Sequence, residues 1–178
     1  SGCATVPSAP QVPALTVEDF RVPSNAAGIE LFVRNKRPKG VETFPSNRIV
    51  LFVHGITFPS ESTFDLSLDG LSWMDYIARA GYDVYLVDVR GYGGSTRPPA
   101  MSEPPNRNPP IATLTEAVDD VDAAVNFILR RRNAERRWYF PNGSRSCRWS
   151  SVAARFRRSC ARFARNDAVS RPSFGSNA

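Results

Sequence analysis

The sequence predicts an α/β architecture: a mostly parallel sheet with flanking helices, followed by a poorly structured basic C-terminal tail. Two apolar runs, residues 48–53 and 83–89, each break into a glycine-bearing turn, at His54-Gly55 and at Gly91-Tyr92-Gly93-Gly94. A helix-sized segment lies between them and a longer one follows, the alternation that builds βαβ units. Charge then divides the chain. Residues 1–129 hold 10 Lys and Arg against 15 Asp and Glu, whereas residues 130–178 hold 13 against 2, so the overall net charge of +6 averages two unlike parts.

Residues 1–24 are expected to be a disordered lead, Pro, Ala and Ser dominating the first 15, and residues 25–132 one partial domain. Gly28 to Asn35 alternates apolar and polar residues like an early edge strand, and 37–47 is a Pro- and Gly-containing connection. Arg48 to Val53 is the central strand, its apolar run suited to burial on both faces. Ile56 to Gly70, with Pro59, Ser60 and Ser62, is a loop over the mouth of any site there. Ser72 caps a helix running to Ala80, with Trp73, Ile77 and Ala80 as its buried face and Gly81 ending it. Asp83 to Val89 is the next parallel strand. Six prolines between Pro98 and Pro110 exclude regular structure there. Thr113 or Thr115 then caps a helix to about Arg131, whose Ala117, Val121, Ala124, Val125 and Ile128 form one stripe. Its Glu116, Asp119, Asp120 and Asp122 complement the positive end of the helix dipole.

Beyond Asn133 the pattern dissolves into a third segment, residues 133–178. Residues 136–178 contain 10 Arg, 8 Ser and 6 Ala but no Leu, Ile, Lys or Glu, too few aliphatic residues for a buried parallel strand. Trp138-Tyr139-Phe140 is at most a strand stub, and Val152, Phe156, Ser159 and Phe163 have the spacing of a short basic helix. Cys3, Cys147 and Cys160 are odd in number and lack Cys-x-x-Cys spacing, so neither a disulfide framework nor a metal site is expected, and no apolar run is long enough to span a membrane. Ser1-Gly2-Cys3 before a Pro-rich stretch has the form of the end of a bacterial lipoprotein signal, with Cys3 acylated. Read plainly, it is a lone cysteine on a disordered lead, and both a membrane-anchored and a cytoplasmic protein stay open.

The chemistry concentrates at the two glycine turns. Gly55 permits a sharp turn and leaves peptide N–H groups approachable without a Cβ in the way. Asp88-Val89-Arg90-Gly91-Tyr92-Gly93-Gly94-Ser95 closes the following strand. With these two motifs in order and a helix-sized segment between them, residues from about 25 to 132 resemble the α/β-hydrolase fold family. The resemblance implies an oxyanion-stabilising turn at His54, Gly55, Ile56 and Thr57, with the Ile56 N–H facing the oxyanion and His54 bonded beneath. It implies a structural turn at Asp88, Arg90, Gly91, Gly93 and Ser95. It further implies cleavage of an ester or amide-type bond in a small-molecule substrate by intact relatives, and no cofactor. The family's Gly-x-Ser-x-Gly nucleophile motif should follow the helix ending near Arg132, yet neither it nor Gly-x-Cys-x-Gly occurs in the 178 residues, and His54 is the only histidine. No catalytic residue is therefore assigned, and the sequence as written is expected to be a truncated or frameshifted, inactive form of a bacterial serine hydrolase.

Plainer readings stand beside these. Gly91 to Ser95 is no phosphate cradle, because the turn opens into Thr96-Arg97-Pro98-Pro99 rather than a helix. Ser95 has no base and occupies a structural position, and Thr57, Ser60 and Ser62 are ordinary loop hydroxyls. The arginine tail is either a binding element for nucleic acid or anionic lipid, which would make the chain a non-catalytic binding protein, or the product of a GC-rich gene read out of frame. The second is preferred, since an evolved tail seldom replaces the rest of a core.

Overall fold

The computed structural model describes residues 13–134. Four strands, β1 (Leu15–Pro23), β2 (Glu30–Pro38), β3 (Ile49–Val53) and β4 (Asp83–Val87), form one sheet in the order β1-β2-β4-β3. Three helices, α1 (Ser60–Phe64), α2 (Trp73–Arg79) and α3 (Leu114–Arg132), accompany it, with 3₁₀ turns at Ser46–Arg48 and Pro99–Ser102.

The α/β class holds, but the sheet is mixed rather than mostly parallel. β1 pairs β2 and β2 pairs β4 antiparallel, and only β3 and β4 run parallel, with Val53 beside Val87. The expected edge strand, β2, is interior, and the expected central strand, β3, has no outer partner among the described residues and is half-buried. Apolar β4 instead takes the fully buried position, all five of its residues being inside. Residues 15–23, expected as part of a disordered lead, form β1. There Phe20 and Val22 turn inward with Arg21 between them, a period-two pattern that the ladder with β2 orders.

Alternation along β2 and β4 sorts side chains into two cores. Leu31, Val33, Tyr85 and Val87 pack with Val22 against Ala123, Ala124 and Ile128 of α3. Val84 and Leu86 pack with Met74 and Ala78 of α2 on the other face. Burying each large aliphatic side chain contributes roughly 1.5–3 kcal/mol. Phe52, Phe64 and Trp73 add an aromatic contact between β3, α1 and α2, with Phe52 and Phe64 stacked at 4.5 Å.

Helix starts follow the cap chemistry. The Ser72 hydroxyl accepts the Asp75 N–H while Asp75 accepts the Ser72 N–H, and Thr113 and Glu116 repeat the exchange at α3. The α2 face is rotated from expectation: Met74 and Ala78 are buried, whereas Trp73 and Ala80 are exposed. Helical spacing favoured Trp73, Ile77 and Ala80 in the sequence, but Met74 and Ala78 pack with Val84 and Leu86, and Ile77 is only partly buried against them. In α3 the fully buried positions are Asp120, Ala123, Ala124 and Ile128, because Asp120 is drawn inward by an ion pair. The loop expected from Ile56 to Gly70 contains α1, and the proline segment contains a 3₁₀ turn that begins on Pro99.

At the end of α3 remote from its cap, Arg132 chelates Asp83 at 2.7 and 3.0 Å, and Asn35 donates to the same carboxylate at 2.8 Å. Beside them Tyr85 is buried, and burial together with the charge of Asp83 pushes its phenol up to about 12. Cys3, the Trp138–Phe140 stub, the basic helix from Val152 and the rest of the tail lie outside the described residues.

Candidate functional site

The parallel ladder of β3 and β4 delivers His54 and Asp88 to the same edge of the sheet. Strand C-termini are where open α/β sheets present their reacting groups.

His54 is buried and engaged at both ring nitrogens. The Val89 N–H donates to Nε2 at 3.1 Å, so the other nitrogen carries the hydrogen, and Nδ1 donates it to the Gly55 carbonyl at 2.6 Å. The described backbone contains no cis peptide, so a Gly55 carbonyl turned toward His54 aims the Ile56 N–H the opposite way. Ile56 is 88 % exposed, and neither its N–H nor that of Thr57 donates to any described residue. The Ile56 carbonyl accepts from the Tyr92 hydroxyl, whose ring lies 4.5 Å from that of His54. Gly55 has no positive φ, and a Cβ there would meet nothing within 4 Å. The described chain itself therefore does not require glycine at this position, and what glycine leaves open is the surface above the turn.

The second turn is built around Asp88. Its Oδ1 accepts the Ser60 N–H at 2.7 Å and its Oδ2 the Gly94 N–H at 3.0 Å, so one carboxylate ties the loop after β3 to the turn after β4. Gly93, at φ +46°, is required twice over: a Cβ there would lie 2.0 Å from Asp88 Oδ2. The Ser95 hydroxyl donates to the Asp88 carbonyl at 2.6 Å and accepts the Phe32 N–H at 2.8 Å, leaving it no nucleophilic freedom. Arg90 departs from the expected turn-tying role. Its guanidinium reaches α3, donating to Asp120 at 2.9 and 2.7 Å, with Glu116 at 3.2 Å. The hydrogen bonds of Asp120 raise the Arg90 pKa further, and Thr113 holds the Glu116 carboxyl below its usual range.

A family model for the alpha/beta hydrolase fold matches residues 48–140, a stretch that contains both turns. The chain belongs to the α/β-hydrolase fold family. Among solved structures, this chain of the α/β-hydrolase fold is similar to hypothetical protein PA2218 from Pseudomonas aeruginosa, at 21 % identity over 65 % of this chain and 30 % of that one, with a TM-score of 0.45. It is also similar to esterase Est22, at 18 % identity over 67 % and 31 % with a TM-score of 0.45, and to the acetyl xylan esterase from Paenibacillus sp. R4, at 14 % over 70 % and 43 % with a TM-score of 0.36. The chain spans less than a third of the first two of these proteins. Comparison with curated proteins gave no match.

Three residues of the α/β-hydrolase edge escaped the sequence reading. Ser60 is fully buried, its hydroxyl donating to the Val87 carbonyl at 2.5 Å, and is no loop hydroxyl. Tyr92 was legible only as a large residue among glycines. Asp120 resembles its acidic neighbours on the helix, and nothing in local spacing marks it as the partner of Arg90. Among the described residues no group of three or more His, Cys, Asp or Glu is placed to hold a metal ion, and no helix is long and apolar enough to cross a membrane.

Proposed function

We propose that residues 54–57 form the oxyanion-binding turn of a serine-hydrolase-class site for an ester or amide-type bond in a small molecule, and that the 178 residues as they stand have no turnover. The observation that carries this reading is the pair of N–H groups at Ile56 and Thr57 that engage no described residue, above a histidine that holds the Gly55 carbonyl back. Such donors, fixed before reaction, stabilise the charge that develops on a carbonyl oxygen under attack, each typically by about 3 kcal/mol.

The donors do not make a catalyst alone. Acyl transfer also needs a nucleophile and a base to take its proton. His54 is not that base: Nε2 accepts from Val89 and Nδ1 donates to Gly55, so protonating or turning the ring breaks the turn it supports. The family's Gly-x-Ser-x-Gly is not in the sequence, and the composition changes just where that motif is due. A change of reading frame after Arg132 accounts for the loss of aliphatic strand, acidic balance and motif together.

Two measurements test this. Incubation of the full chain with a fluorophosphonate probe and a p-nitrophenyl ester gives neither labelling nor turnover; stoichiometric labelling removed by one serine substitution overturns the inactive reading. Sequencing the gene tests the frame: an alternative frame past codon 132 encodes an apolar strand and then Gly-x-Ser-x-Gly, and confirmed bases with no such motif in either frame refute the frameshift.

A further inference from the structure

We propose that Tyr92 is a positioning residue of the oxyanion turn: its hydroxyl holds the Ile56 carbonyl and so aims the Thr57 N–H outward as a second donor. The inference rests on reading residues 54–57 as an anion-binding turn.

The Tyr92 hydroxyl donates to the Ile56 carbonyl, and that carbonyl belongs to the same trans peptide as the Thr57 N–H. Fixing one end of the peptide dipole fixes the other. His54 does the same for the preceding unit, so two successive carbonyls are held from below by two side chains, one from each turn. Their rings pack at 4.5 Å with planes 46° apart, so neither moves without the other. Tyr92 is itself tightly placed, its N–H donating to the Val89 carbonyl at 3.1 Å and its carbonyl accepting the Ser95 N–H at 2.9 Å. Positive φ at Gly91 and Gly93 on either side produces the tight bend that turns its side chain back over the first turn. Thr57 is exposed, and no other described group bonds the Ile56 carbonyl, so loss of the hydroxyl frees this peptide to rotate. The two donors therefore have separate supports, His54 for Ile56 and Tyr92 for Thr57.

The test is amide NMR on the labelled full chain, titrated with phenylphosphonate, in the wild type and in Tyr92→Phe, which keeps the ring against His54 and removes only the donor. In the wild type, the Ile56 and Thr57 amides both move saturably. In the variant, the phosphonate affinity falls about fivefold, the equivalent of ~1 kcal/mol for one neutral hydrogen bond, and the Thr57 amide moves less at saturation while Ile56 moves as before. The Ile56 carbonyl resonance also shifts in the variant before any phosphonate is added, a change that general destabilisation would not confine to one carbonyl. An undiminished Thr57 response in Tyr92→Phe overturns the role of Tyr92 and leaves the oxyanion reading intact. Silence at both amides in the wild type overturns the oxyanion reading itself. Should the variant not fold, a crystal structure of the wild type decides: a Tyr92 hydroxyl beyond hydrogen-bond distance of the Ile56 carbonyl refutes the proposal.

Discussion

Arg90 and Asp120, thirty residues apart, form a buried two-point ion pair at 2.9 and 2.7 Å, and the Arg90 backbone N–H adds a third bond to the same carboxylate at 3.0 Å. This pair, with Glu116 beside it, joins the glycine turn to α3. Asp120→Ala should therefore leave a buried guanidinium with only the partly exposed Glu116, at 3.2 Å, as counter-charge and cost about 3 kcal/mol in urea unfolding. Replacing both partners by Arg90→Met and Asp120→Leu should cost much less than that single change. Additive losses in the double variant would show that the pair is not coupled.

Tyr85 offers a test of the opposite sign. Its hydroxyl is buried without a hydrogen-bond partner among the described residues, so Tyr85→Phe should raise stability at neutral pH by about 1 kcal/mol. Its phenol is also raised to about 12 from an ordinary value near 10. A group whose folded pKa is raised contributes stability that is whole below the unfolded pKa, here about pH 10, and lost as pH climbs through the folded one. The wild type should lose about 2–3 kcal/mol more than Tyr85→Phe between pH 9 and 12, measured by denaturant midpoints, and parallel pH profiles would refute this.

The two turns should separate under glycine substitution. Gly93→Ala forces a Cβ into a left-handed residue 2.0 Å from Asp88 Oδ2 and should destabilise by at least ~2 kcal/mol. Gly55→Ala meets nothing within 4 Å and should stay within about 0.5 kcal/mol of the wild type. If thermal melts rank the two variants the other way, the placement of one turn is wrong.

The arginine segment yields a prediction about charge. Residues 130–178 carry 13 Lys and Arg against 2 acidic residues, so any binding to nucleic acid should be independent of base sequence and weaken steeply as salt rises. It should vanish in a variant ending at Arg132, as read by fluorescence anisotropy with a labelled duplex. Retention by that variant would place the binding surface on the acidic part of the chain.

The sequence disclosed elements whose signals are local. Ser72, and a threonine at 113 or 115, announced their helices because a cap needs only a hydroxyl and the next few N–H groups, and the structure selects Thr113. The two glycine turns stood out because their chemistry lies within a few consecutive residues. Features that depend on distant pairing did not show. β3 and β4 are both apolar runs, and only the ladder tells which is flanked on both sides. β1 exists because β2 lies beside it, and Asp120 is a core residue because Arg90, from another element, reaches it. The Tyr92 to Ile56 bond spans thirty-six positions and leaves no mark in either segment.

The two bonds of Asp88, to Ser60 and to Gly94, make the loop after β3 and the turn after β4 a single cooperative unit. Neither can open alone without stranding an oxygen of a carboxylate that is almost completely buried. Local unfolding at this edge should then be cooperative, so that the amides of Ser60 and Gly94 are protected by one common opening free energy although they sit on different crossovers. A site of this kind gains its rigidity from one negative charge, and yields as a whole when that charge is removed.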